Sequence, residues 1–269
     1  MHGSEAELTT NWRPWAVSLV TLIVFFVLNE YDWTLFRSIA ADTEGYLRLG
    51  AVTGLRYLPQ LIIPLVLAGI LVGWKNAPDA LGLSSNPLTG FIVAVASTSV
   101  MLLAIAVTSD FVVPDNFVIT VSRGAILPGI FEEIFYRAFL FGFLFRFAKW
   151  GFLPAALVGA IVFGAGHLYQ SGDPTEATAI FTITALGALW FAWLYVEWGY
   201  NVWVPAAMHL LMNLWWELFA VSDSALGPMS ANVSRIGVIV LSILITVWFA
   251  KRHGGRRIKG VIWMRQPAA

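Results

Sequence analysis

Long apolar runs alternate with short polar breaks along this chain, and the spacing of the breaks is that of a polytopic membrane protein. A helix needs about 20 mostly apolar residues to cross a hydrocarbon core. Runs bounded by charges, Pro, Gly or aromatic residues cover about Pro14–Leu28, Leu55–Gly73 and Leu88–Val107. The next run, Phe117–Phe147, is too long for one straight span. Pro128-Gly129 is expected to divide it, because Pro suits the first turn of a helix and disfavours helical backbone in the residue before it. The pattern therefore predicts a short interfacial segment followed by a helix starting near Pro128. Further runs cover about Phe152–Tyr169, Ala177–Val196, Val202–Phe219 and Ile236–Ala250.

The predicted fold class is all-α: about eight transmembrane helices in one bundle, forming a single membrane-embedded domain over residues 1–269. The loops are short and leave no room for a second, soluble domain. The first run is read as a retained helix rather than a signal peptide, since Glu5 and Glu7 precede it and no small-residue cleavage site follows closely.

Composition strengthens this picture. Of the 269 residues 58% are hydrophobic and 12% charged, more apolar surface than a soluble globule hides. The 13 Trp suit the membrane–water boundary. A formal charge of zero gives no bulk attraction to nucleic acid, which is not expected as a partner. The absence of Cys removes disulfides, thiolate zinc sites and cysteine nucleophiles together.

Basic residues flank the cytoplasmic ends of spans. The tail at about 251–269 holds Lys251, Arg252, Arg256, Arg257, Lys259 and Arg265, which places it in the cytoplasm of a multi-pass cell-membrane protein. Eight crossings put the N-terminus there too. Lys75, Arg146 and Lys149 agree; Arg37, Arg48 and Arg56, expected in the first outer loop, dissent.

Ionisable groups at membrane depth cost several kcal/mol and usually mark function. Three predicted helices, over about 128–219, carry them. The first contains Glu132, Glu133 and Arg137, the second Phe163 and His167, the third His209 and Asn213. Glu133 and Arg137 stand four apart with the acid first, the favourable order for a helical ion pair. Glu132 points about 100° away from that pair. It is expected to lack a cationic partner and, buried beside a second carboxylate, to have the raised pKa that suits a general base. Glu133 is expected to stay ionised as a strut. His209 and Asn213 share one helix face and offer an imidazole and an amide to an oxyanion or a water. Phe163 lies one turn before His167 and is expected to pack over it or line a cleft. Gly159, Gly164 and Gly166 are expected to permit the close helix contact that brings His167 towards Glu132.

Glu-Glu-x-x-x-Arg, then Phe-x-x-x-His, then His-x-x-x-Asn, in that order on hydrophobic helices, resembles the CPBP family of CAAX proteases and bacteriocin-processing enzymes, which includes the Rce1-type prenyl-protein endopeptidases. The resemblance implies an intramembrane endopeptidase in which Glu132 activates water, His167 positions it, and His209 with Asn213 supports the oxyanion. Glu133, Arg137 and Phe163 support these groups. The implied partners are membrane lipids and a peptide or membrane-protein substrate, either a prenylated C-terminus or a leader peptide. A metalloprotease label attaches to the family. Zinc, if used, would take Glu132, His167 and His209, although His-Glu-x-x-His is absent and a metal-free glutamate mechanism is slightly favoured. Two other classes compete: a non-proteolytic binding or immunity protein built on the same cavity, and a proton-coupled transporter. Against the transporter, no repeated halves or matched broken helices are found. A bis-His haem protein would leave the paired glutamates unexplained.

Overall fold

The computed structural model describes residues 8–41 and 43–258, without the side chains of 32–37 and 39–41. Glu5, Glu7, Lys259 and Arg265 lie outside the described residues. Among the described residues there is helix and no strand. The longer helices are α1 (Pro14–Ala41), α2 (Gly45–Val72), α3 (Pro87–Thr108), α4 (117–147), α5 (Phe152–Ala165), α6 (Pro174–Glu197), α7 (Trp203–Leu218) and α8 (Met229–Arg252).

Among the described residues six segments are long and apolar enough to cross a membrane: within α1, α2, α3, α6 and α8, and over Phe152–Gln170, which contains α5. The chain is an integral membrane protein of helical class, and by length and composition six crossings are supported of the eight expected. The remaining two, α4 and α7, are the helices that carry Glu132, Glu133 and Arg137, and His209 and Asn213. Their polar residues and, for α7, a length of 16 residues set them apart from ordinary spans.

Two boundaries differ from expectation for identifiable reasons. Arg48 and Arg56 do not lie in a loop, because α2 is continuous from Gly45 to Val72. An Arg inside such a helix is tolerable when it finds an anion, and Arg56 does. Pro128 does not end a helix either: α4 runs helically from 117 to 147, through wide π-type turns at Ser122–Ile126, Pro128–Phe141 and Phe143–Phe147. Widened turns accommodate a residue that lacks an N–H, and they recur at functional sites.

The core is built around α4. Phe135, Phe139, Phe143, Leu140 and Leu144 are fully buried, so the helix is enclosed on nearly every side. Phe25 of α1 stacks on Phe135 at 4.6 Å between ring centroids, and Trp150 Nε1 donates to Ser18 of α1 at 2.9 Å. On the other side α7 packs against α4 and α3, and α3 against α8, while α5 pairs with α6.

Local chemistry sets the entry of α3 and α7. Asn86 caps α3 by accepting from Leu88 N at 2.9 Å, with Pro87 in the first turn. Asn201 Oδ1 accepts from Trp203 N, and its Nδ2 donates to Asn86 O at 3.1 Å, so one amide ties the start of α7 to the start of α3. A Cβ on Gly90 would lie 2.3 Å from Trp203 O, which makes glycine a condition of that close crossing.

Candidate active site

Glu133 is the hub. Its carboxylate has no solvent exposure, and Arg137 Nε lies 3.0 Å from Oε2, one turn along α4. Its other oxygen, Oε1, accepts from His209 Nδ1 at 2.8 Å, across to α7. A buried carboxylate needs such compensation, and Glu133 obtains it from two helices at once. The guanidinium of Arg137 is itself held over the Phe163 ring at 4.4 Å and beside Phe191 at 5.5 Å. Glu133 is thus more than a strut for its own helix: it fixes the ring of His209.

The tautomers follow from these contacts. His209 presents Nδ1–H to Glu133, which turns Nε2 away from α4's backbone. His167 follows the last turn of α5, and its Nδ1 lies 2.7 Å from Phe163 O, a helix-end carbonyl with no N–H of its own to accept from. The ring N–H must therefore be at Nδ1, which leaves a lone pair on Nε2. Phe163 stands between the two imidazoles, its centroid 4.6 Å from His167 and 6.3 Å from His209.

Asn213, one turn after His209, donates from Nδ2 to Gly124 O at 2.9 Å. Gly124 is four residues before Pro128, which has no N–H to offer that carbonyl. In a regular α-helical register that carbonyl would find no backbone donor, and here a side chain from α7 supplies one. His209 and Asn213 share a face as expected, but each spends one polar atom on α4.

Glu132 does not lack a cation. Arg56 Nη2 of α2 lies 3.6 Å from its Oε1, with the carboxylate side chain 13% exposed and the guanidinium 28%. Glu132 therefore faces a partly open edge while its neighbour Glu133 is sealed. His167 is within electrostatic reach of Glu132, His209 and Arg137, so the three motifs converge on one region.

The glycines act differently from expectation. A Cβ on Gly164 would meet Phe181 at 2.9 Å, so this glycine serves the α5–α6 contact. Gly166 meets only its own turn, and Gly159 would make ordinary contact with Leu140 at 3.7 Å. The glycines that set the site are on α4: a Cβ on Gly129 would lie 2.6 Å from Leu210 Cα, and one on Gly124 would lie 2.2 Å from Glu217 Oε1. Gly129, against backbone, lets α7 approach closely enough for His209 to reach Glu133; at Gly124 the neighbour is the movable end of a side chain. Arg56 was equally missed, although an Arg in an otherwise apolar helix is itself a signal.

Among the described residues no three His, Asp or Glu side chains gather as a metal requires. Glu132, His167 and His209 are held by Arg56, Phe163 O and Glu133 respectively. The two imidazoles keep Nε2 free, but the three side chains are not gathered as a ligand set among the described residues, and the reaction below routes no step through a metal.

No curated protein and no solved structure matches the chain. Residues 114–215, which contain all three motifs together with Gly124, Pro128 and Gly129, match the model of the family described as type II CAAX prenyl endopeptidase Rce1-like, the same family that the ordered motifs resemble.

Proposed function

We propose that this protein is an intramembrane endopeptidase that hydrolyses a CAAX-type, membrane-associated peptide. The observation that carries this reading is the division of labour between adjacent glutamates: Glu133 is sealed between Arg137 and His209, while Glu132 sits at the open edge. Glu132 takes a proton from water, and the hydroxide attacks the scissile carbonyl carbon. His167 accepts a hydrogen bond from that water through Nε2, the nitrogen that carries the lone pair when Nδ1–H is given to the Phe163 carbonyl. His209, when its Nε2 is protonated, and the second N–H of Asn213 donate to the oxyanion. Collapse of the intermediate breaks the C–N bond, and Glu132 returns the proton to the leaving amine.

The prenylated C-terminus is preferred over a leader peptide as substrate because the matching family is described as a CAAX prenyl endopeptidase. Both termini are placed in the cytoplasm, on the strength of Lys251, Arg252, Arg256 and Arg257 after α8. The test is cleavage of a farnesylated CAAX peptide by the purified, reconstituted chain. Glu132→Gln should lower kcat by about 10²–10⁴-fold, the usual worth of a positioned base. Wild-type turnover by a folded Glu132→Gln protein would overturn the assignment.

A further inference from the structure

Three arginines outside the motif set line the stretch of α2 and α4 that ends at Glu132. Along α2, Arg48, Val52 and Arg56 stand at four-residue intervals on one stripe. Val52 and Tyr57 pack against Leu127 of α4, with Leu49 and Phe131 at the margin, so the stripe lies along the part of α4 that precedes Glu132. At one end Arg56 contacts Glu132. At the other, Arg123 of α4 is close enough to Arg48 for the two cations to repel each other. Among the described residues, neither Arg48 nor Arg123 pairs with a carboxylate, and Arg48 Nε is out of solvent without a hydrogen-bond partner. Glu217 reaches α4 at Gly124 from the α7 side, and among the described residues no ion pair joins it to Arg123. Two guanidinium groups that pair with no carboxylate among the described residues, beside a third that holds Glu132, favour capture of a further anion.

We propose that Arg48 and Arg123, with Arg56 between them and the base, form a subsite for the free C-terminal carboxylate of the peptide substrate. This rests on the peptidase reading and names what the site measures. In a CAAX-type substrate cut after the prenylated Cys, three residues separate the scissile bond from the terminal carboxylate, an extended reach of about 10 Å. Along α4 the step from Arg123 to Glu132 is nine residues, roughly 13 Å of regular helix and less through wide turns. With the scissile carbonyl at Glu132, the carboxylate falls at the level of Arg48 and Arg123. Arginine suits the role because its planar fork matches a carboxylate.

The experiment compares one farnesylated peptide bearing a C-terminal acid with the same peptide amidated, using the full chain in zwitterionic phosphatidylcholine vesicles. Wild type should prefer the acid by about ten- to a hundredfold in kcat/KM, the worth of charge-assisted hydrogen bonds to one anion. Arg48→Gln and Arg123→Gln should lose activity on the acid, keep activity on the amide, and so bring the acid-to-amide ratio towards one. Lys at either position should restore part of the preference. Equal cleavage of acid and amide by wild type, or an unchanged ratio in both variants, would overturn the proposal. Adding phosphatidylglycerol separates the sources of anion: inhibition relieved by the two variants, without an acid preference, would assign the site to lipid phosphate and overturn it. If wild type cleaves neither peptide, the peptidase reading fails instead. Anisotropy of labelled acid and amide peptides then tests the subsite by binding alone, with equal affinity counting against it.

Discussion

The carboxylate of Glu133 accepts the Nδ1–H of His209 at 2.8 Å while lying 3.0 Å from Arg137 Nε, so a single buried anion ties two helices and two motifs together. Removing one member of a buried charged set leaves the others uncompensated, at about 3–5 kcal/mol. Glu133→Ala should therefore lower thermal stability in detergent markedly and abolish turnover. Glu132→Ala, at the partly open edge, should change stability by about 1 kcal/mol or less, as for an exposed ion pair. Differential scanning of both variants beside wild type checks the contrast, and equal melting temperatures would contradict it.

The approach of α7 to α4 makes a second expectation. Gly129→Ala places a methyl group 2.6 Å from the Leu210 backbone, so α7 must move away. Overpacking of this kind costs about 1–3 kcal/mol, and here it should also separate His209 from Glu133 and reduce kcat severely. Gly187→Ala, where nothing lies within 4 Å, should be neutral or slightly stabilising. Parallel measurements of activity and unfolding separate the two; a Gly129→Ala enzyme with full activity would contradict the packing argument.

Asn213→Ala removes both the bond to Gly124 O and the amide proposed to face the oxyanion. If the amide acts on the transition state, kcat should fall by about 10²–10³-fold with KM little changed. A rise in KM with kcat preserved would instead mark Asn213 as a substrate-binding group.

Chelation offers a further check. Because no trio of ligands gathers among the described residues, turnover should survive treatment with a strong chelator. Elemental analysis of the same sample completes the measurement. Stoichiometric zinc whose removal abolishes cleavage would show that the site rearranges around a metal.

Much of the architecture was legible in hydrophobic spacing, because a bilayer imposes length and apolarity on every crossing helix. The six spanning segments fall close to the expected runs. The ion pair of Glu133 and Arg137 was readable from four-residue spacing, since both groups are on one helix. The bond from Glu133 to His209 was not, because spacing within a helix says nothing about which face meets a distant one. Arg56 was read as part of a loop for a related reason: its tolerance inside α2 depends on Glu132, 76 positions later in the chain. Gly129 and Gly124 escaped notice because a glycine's role in helix contact is defined by the partner's backbone. Pro128 was read as a boundary; wide turns absorbed it.

That absorbed proline sets a condition on how this protein can improve. Because Pro128 cannot bond Gly124 O in a regular α-helical register, that oxygen serves as an address on α4 that Asn213 reads. A sequence with Ala at 128 would build a more regular and locally sturdier helix, and its restored N–H would compete with Asn213 for the same oxygen. Firmness of the central helix and alignment of α7 are thus bought from one carbonyl, and selection for either is felt by the other.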